Sequence, residues 1–101
     1  MEVVFHYDVR DFFESLQRPT RTKLARSIRL LREYGQNLSM PRMKFIVDGI
    51  FELRIRGQQE VRVFLVFHQG QAHLLHGFVK KTQKTPRKEL EVAKKRKLDL
   101  T

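Results

Sequence analysis

The first part of the chain switches from an alternating apolar pattern to a helical one. Residues 2–7 alternate around Val3 and Phe5, which predicts a short strand. The apolar residues that follow recur at i, i+3, i+4 and i+7, so they share one face of a helix that Asp8 is expected to cap and Pro19 to end. That face carries Val9, Phe12, Phe13 and Leu16.

A second amphipathic helix is expected over residues 20–34, with Gly35 closing it. Its apolar positions are Leu24, Ile28 and Leu31. The other side is basic and is most simply a solvated helix face, with RNA binding as the sharper interpretation. The basic residues are Arg21, Arg26, Arg29 and Arg32. The two helices should form a hairpin that needs a sheet to cover its apolar faces.

The middle of the chain follows a period of two. Residues 43–47 and 50–56 are strand candidates, and the dipeptide Asp48-Gly49 between them is typical of tight hairpin turns. This pattern predicts an antiparallel hairpin.

Two further strands and a helix complete the pattern. Residues 60–69 are apolar on both faces over most of their length, which is typical of a central strand. Residues 72–79 return as another strand, and Thr85-Pro86 is a good start for a very basic last helix. The apolar stripe of that helix consists of Leu90, Ala93 and Leu98.

This order of elements predicts the fold class. A strand, a two-helix hairpin, an antiparallel meander of three to four strands and a basic C-terminal helix together form an α+β arrangement with segregated helices. At 101 residues the chain has room for one hydrophobic core, so residues 1–101 are expected to form a single domain.

Charge and composition narrow the class of partner. The formal net charge of +10 is typical of nucleic-acid-binding domains, with a solubilising surface as the plainer alternative. Two basic blocks, residues 18–45 and 71–101, flank a neutral strand region. The chain has no cysteine and no segment that reads as a signal or a membrane span. We therefore expect a cytoplasmic protein with no membrane partner.

Three arginines, Arg54, Arg56 and Arg62, lie inside apolar strand-like runs, where a cation is costly unless an anionic group offsets it. Since strand side chains alternate, Arg54 and Arg56 share a face with Glu52 that points away from the helices. The last strand runs into the basic segment 78–86. We interpret these cations as one phosphate-handling surface.

Each of these residues also has a structural interpretation. Arg62 is in that case paired with Glu52 or Glu60. Arg54 or Arg56 is a solvated strand cation or a partner of Glu60. His76 is more often a histidine at the edge of a core than a catalytic base.

The chemistry suggested by these cations is cleavage of a phosphodiester. The histidines show no metal-ligand spacing, the serines lie in no nucleophile elbow, and the chain has no glycine-rich phosphate loop. Guanidinium groups suit the negative charge that develops on phosphorane oxygens. With RNA as substrate the 2′-hydroxyl is the nucleophile, so no metal or other cofactor is expected. A lysine among other cations would have a lowered pKa and could act as the base.

Several segments together resemble a known family. They are residues 49–54 (GIFELR), 61–64 (VRVF) and 74–86 (LLHGFVKKTQKTP), followed by Glu89 and Ala93. The sequence resembles the RelE/ParE toxin superfamily, and most of all its HigB-like, phage-related branch. The resemblance covers nearly the whole chain, because the two-helix hairpin before the sheet also matches.

The resemblance implies a RelE-like fold and a type II toxin that acts as a ribosome-dependent mRNA endonuclease without a metal. The implied partners are the ribosome, mRNA and an antitoxin encoded adjacently, of the helix-turn-helix type. The implied catalytic residues are Arg62, Arg54, Lys84 and Lys81. We assign RNA binding to Lys80, Arg56, Lys44, Arg87 and Lys88.

The sequence also departs from the family. A tyrosine on the terminal helix has no counterpart, since Leu90 occupies its place, and no histidine follows His76. The general acid and base are therefore left open. Two other functions remain as alternatives: a ParE-like gyrase poison, and a basic module that binds RNA without cutting it.

Overall fold

A computed structural model of the protein describes residues 1–100. The order of elements is strand, two helices, four strands and a final helix. They are β1 (Glu2–Phe5), α1 (Val9–Ser15), α2 (Arg18–Tyr34), a 3-10 turn (Gly35–Asn37), β2 (Met43–Val47), β3 (Ile50–Ile55), β4 (Val61–His68), β5 (Gln71–Val79), α3 (Arg87–Lys97) and a second 3-10 turn (Leu98–Leu100).

The five strands form one sheet in the order β1-β5-β4-β3-β2. Strands β2 to β5 are an antiparallel meander, and β1 adds to the edge of β5 in parallel. The α+β prediction is confirmed, and the architecture is consistent with a RelE-like fold. Strand β4 is central, as its two apolar faces predict.

The hairpin turns follow from local residue types. Asp48 and Gly49 both have positive φ, at 53° and 76°. This is the conformation of the tight turn whose twist matches that of the flanking strands, and a glycine adopts it without steric cost. The turn fixes the β2-β3 pairing that was predicted from the sequence.

Helices α1 and α2 cover one face of the sheet and enclose the larger core. Leu24, Ile28 and Leu31 of α2 are buried there, as predicted, against Leu53 and Ile55 of β3. The side chains of β3 therefore alternate as expected, and Arg54 lies on the opposite face.

Helix α3 covers only part of that opposite face. A smaller core forms beneath it from Ile50, Phe64, Val66, Leu75, Phe78 and Ala93. Because α3 begins at Arg87, the segment between β5 and α3 runs along the end of the sheet that the helix leaves uncovered. The candidate site lies at this end.

Two expectations about helix ends are wrong, and a third, Asp8 as the N-cap of α1, is correct in position but lacks the side-chain bond. Pro19 does not end the first helix but lies in the first turn of α2, where proline loses no hydrogen bond. Asp8 makes no capping bond and instead accepts a hydrogen bond from Arg96 at 2.9 Å. Leu98 is 70% exposed in the final 3-10 turn, since α3 ends before the stripe reaches it.

Within residues 1–100, none of the helices has the length and apolar character needed to cross a membrane.

Two histidines, His6 just after β1 and His73 in β5, lie in contact and connect these two strands. The Nε2 atom of His6 lies 2.7 Å from Nδ1 of His73, which is hydrogen-bond distance between the two rings. Burial, and after it the charge of His73, lowers the pKa of His6. The folded state therefore binds the His6 proton less readily than the unfolded chain, whose histidine pKa is about 6.5.

We predict that the free energy of unfolding falls as pH drops below about 6.5, and that His6→Gln reduces this pH dependence. Urea unfolding at pH values on both sides of that range measures the effect. Tyr7→Phe, which leaves the histidine pair in place, is the control. An equal pH dependence in His6→Gln and the wild type would contradict the role given to this pair.

Candidate phosphate-binding cleft

Glu52 lies at the centre of the candidate site and is only 5% exposed. Its carboxylate is 3.6 Å from Nε of Arg54 and 3.8 Å from Nε of Arg62. It also accepts a hydrogen bond from the Thr85 hydroxyl at 3.3 Å. One buried acid thus joins β3, β4 and the start of the last helix.

The register of the sheet explains why an acid is needed there. Arg54 of β3 lies directly opposite Arg62 of β4. Like charges facing one another across two strands are destabilising. Glu52 precedes Arg54 by two positions and so points to the same face. Its single negative charge lies beside both guanidinium groups and reduces the repulsion between them.

Arg62 is itself almost fully buried, at 2% exposure. Its Nη1 donates to the backbone oxygen of Val61 at 2.9 Å, and its Nη2 donates to Oε1 of Glu60 at 3.3 Å. Arg62 is therefore paired with both Glu52 and Glu60, the two partners that its structural interpretation named. Contact between Arg62 and a phosphate remains a prediction.

Glu60 forms the acidic wall of the site. Burial is the largest influence on its carboxyl and would raise the pKa, but the Gly57 N–H bond together with Arg62 and Arg56 outweighs it, so the pKa of Glu60 is lowered. The Gly57 N–H donates to Oε2 at 3.1 Å. Glu60 is consequently a carboxylate at neutral pH.

An open cleft of about 410 Å³ lies above these groups. Four of its lining residues are cations and one is an acid. The lining consists of Arg54, Arg56, Glu60, Arg62, Lys80, Thr82 and Gln83. The cleft therefore combines an excess of positive charge with hydroxyl and amide donors, which suits a phosphate group.

The basic segment after β5 divides into two groups. Lys80 lines the cleft, and its backbone N–H donates to the Glu60 backbone oxygen at 2.6 Å. Lys81 and Lys84, the predicted catalytic lysines, are exposed and do not line it. Thr82 bonds the Lys84 carbonyl at 2.6 Å, which shapes the turn between them. Their catalytic role remains a prediction, and Lys80 is the lysine at the cleft itself.

Three other predicted RNA-binding residues do not line the cleft. Lys44 of β2 is exposed and lies opposite Glu52 in the sheet, while Arg87 and Lys88 are exposed at the start of α3. All three lie on or beside the arginine face.

His76 lies outside the cleft lining. Its Nε2 is 3.0 Å from Oε1 of Glu89, and its ring stacks on Phe78 beneath α3. This contact supports its interpretation as a histidine at the edge of a core. It also helps hold the first turn of α3 on the sheet.

Five residues of the site and its support were not among those assigned from the sequence: Glu52, Glu60, Thr82, Gln83 and Thr85. The alternation of β3 already placed Glu52 on the arginine face. Nothing in the local pattern indicated that Thr85 would reach it across 33 positions.

The fold and this cleft define a small α+β protein of RelE-like architecture with a cationic site at one end of its sheet. A family model described as phage-derived protein Gp49-like (DUF891) matches residues 11–98. The chain belongs to this toxin-like, phage-derived family. Membership is consistent with a toxin and suggests an antitoxin partner. No curated protein matches the chain.

We predict that Glu52→Gln destabilises the protein by about 3 kcal/mol, because it leaves the buried Arg62 and the partly buried Arg54 without their shared carboxylate. Glu91→Gln, which removes an exposed acid 3.9 Å from Lys94, should cost less than about 1 kcal/mol. Urea unfolding at neutral pH measures both. Equal losses in the two variants would show that Glu52 does not organise the site.

Proposed function

We propose that the protein is a type II toxin of the HigB-like branch that cuts mRNA on the ribosome. The observation that carries the proposal is the open cleft in which Arg54, Arg56, Arg62 and Lys80 surround a space suited to one phosphate. The sequence resemblance and the toxin-like family support the choice of a translation-blocking toxin.

The proposed reaction uses the substrate's own nucleophile. The 2′-hydroxyl oxygen attacks the adjacent phosphorus, the bond to the 5′-oxygen breaks, and a 2′,3′-cyclic phosphate and a 5′-hydroxyl result. One proton leaves the 2′-hydroxyl and another reaches the departing 5′-oxygen. The protein's main task is to orient the nucleotide and stabilise the negative charge that develops on the phosphorane oxygens.

The cleft divides these tasks between accessible and buried groups. Arg54 and Lys80 line the opening and are placed to contact phosphate oxygens. Arg62 lies deeper and would contact the phosphate if its Nη2 exchanged the Glu60 carboxylate for it. That exchange is plausible in energy because the Glu60 side chain is 38% exposed and becomes hydrated when released. Glu60 is the carboxylate of the lining and is therefore a group that can accept a proton.

One observation favours a second candidate, an RNA-binding module without catalysis. Arg62 already has two carboxylates and a backbone oxygen beside it, and none of the cleft-lining residues is a histidine. A protein of this kind would bind RNA in a salt-sensitive manner but leave ribosome-bound message intact.

The antitoxin partner belongs to the same proposal. A helix-turn-helix protein encoded beside the toxin would place acidic groups against the +10 surface, where opposite charges favour fast association. An antitoxin that covers the cleft would block access of RNA and so inhibit the toxin.

We predict that Lys80→Ala lowers the rate of ribosome-dependent mRNA cleavage about 10²-fold, because it removes a charge at the reacting phosphate. Lys95→Ala removes the same charge from the exposed far end of α3 and should cleave normally. The measurement is primer extension on a defined mRNA, with and without purified ribosomes.

Two outcomes would contradict the proposal. Wild-type protein that binds RNA but produces no new primer-extension stops on ribosomes would favour the non-catalytic module. Lys80→Ala cleaving as fast as Lys95→Ala would remove Lys80 from the active site.

A further inference from the structure

A second cationic pocket lies between α2 and the end of β3. It has a volume of about 200 Å³, and we call it the helix-side pocket. Five of its seven lining residues are cations, and Ser27 and Ile55 complete the lining. The cations are Lys23, Arg26, Arg42, Arg54 and Arg56.

The helix-side pocket differs from the cleft in having no acid in its lining. Among residues 1–100, only Arg54 of these five cations has a carboxylate oxygen within 4.0 Å of its charged nitrogens. Lys23 and Arg26, three positions apart on α2, therefore lie beside one another without a counter-charge, which is unfavourable for a helix. An anion bound in the pocket would relieve this repulsion.

The backbone positions these side chains from three separate segments. Arg54 donates its backbone N–H to the Arg42 carbonyl at 2.8 Å, so Arg42 is fixed beside β3 just before β2 begins. The ammonium of Lys23 donates to the Arg56 carbonyl at 2.9 Å. A Cβ atom at Gly57 would lie 2.6 Å from that ammonium, so glycine leaves room for it.

The pocket and the cleft share two walls, Arg54 and Arg56. Arg54 lies in β3, and Arg56 is the first residue after the strand. Because the two are two positions apart in extended chain, their Cα atoms are separated by about 7 Å. A single RNA strand crossing the end of β3 would present successive phosphates first to one space and then to the other.

We propose that the helix-side pocket binds a backbone phosphate of the RNA strand, next to the phosphate held in the cleft. This inference rests on the proposed function, and it extends the RNA path from the sheet onto α2. Four arginines in one small pocket favour a phosphate, because the planar guanidinium fork matches its oxygens in bidentate fashion. The lining has no aromatic ring on which a base could stack and consists mainly of cations that suit phosphate oxygens, so the contact is expected to be independent of sequence.

The test is the salt dependence of RNA binding in the absence of ribosomes. A short fluorescein-labelled oligouridylate serves as the probe, and fluorescence anisotropy gives its affinity over a range of salt concentrations. The double variant Arg26→Ala/Arg42→Ala should lower the magnitude of the slope of log affinity against log salt by about 0.7, the value for one lost phosphate contact on a single strand.

The matched control is Arg29→Ala/Arg32→Ala, which removes the same charge from exposed positions of α2 that do not line the pocket. It should change the slope less than the pocket variant does. Thermal unfolding checks that both double variants are folded.

The outcomes separate this inference from the proposed function. Equal slopes in the pocket and control variants would overturn the pocket even if the wild type cuts mRNA. Unchanged RNA binding with weakened antitoxin association would reassign the pocket to a carboxylate of a protein partner. A lower slope in the pocket variant alone would support the pocket, and absence of ribosomal cleavage by the wild type would then count against the proposed reaction only.

Discussion

The structure around the sheet end depends on one buried carboxylate, Glu52. Its contacts with Arg54 and Arg62 allow two guanidinium groups to face one another on neighbouring strands, an arrangement that is otherwise repulsive. Its bond to Thr85 attaches the segment that leads into α3. Because a buried ion pair loses several kcal/mol when one partner is removed, the sheet and the basic segment are coupled through this residue.

Helix α3 determines how much of the arginine face remains open. Its first turn is held by the His76 and Glu89 contact, and its last turn by Arg96, which donates to Asp8 and to the Leu75 carbonyl. Between these points the helix covers the smaller apolar core. The uncovered end leaves Arg56 exposed and Arg54 and Lys80 partly exposed, as a site for a charged ligand requires.

Much of this fold follows from local sequence patterns. The alternation in β3 and β4 predicted which residues face the helices, and Asp48-Gly49 predicted the hairpin because its dihedral angles are restricted. Pro19 was misjudged because proline both ends helices and begins them, and only the packing of α1 against α2 decides between these roles. The prediction that the apolar stripe of α3 includes Leu98 was wrong, because tertiary contacts and not the stripe determine where α3 ends.

The site was harder to predict than the fold. Arg54 and Arg62 stood out as cations in apolar strands, but the turn after β5 has no periodicity, so the sequence did not distinguish Lys80 from Lys81 and Lys84. The helix-side pocket combines α2, the segment before β2 and the end of β3. Such a combination is a property of the tertiary arrangement and leaves no local pattern in the chain.

The central claim is that preorganised cations at the sheet end promote attack by the RNA's own 2′-hydroxyl. The most direct measurement is the chemistry of the ends produced when the purified protein cuts ribosome-bound mRNA in the presence of a metal chelator that leaves the ribosomes assembled. The account predicts a 2′,3′-cyclic phosphate or its 3′-phosphate hydrolysis product, paired with a 5′-hydroxyl. A 3′-hydroxyl with a 5′-phosphate would contradict it.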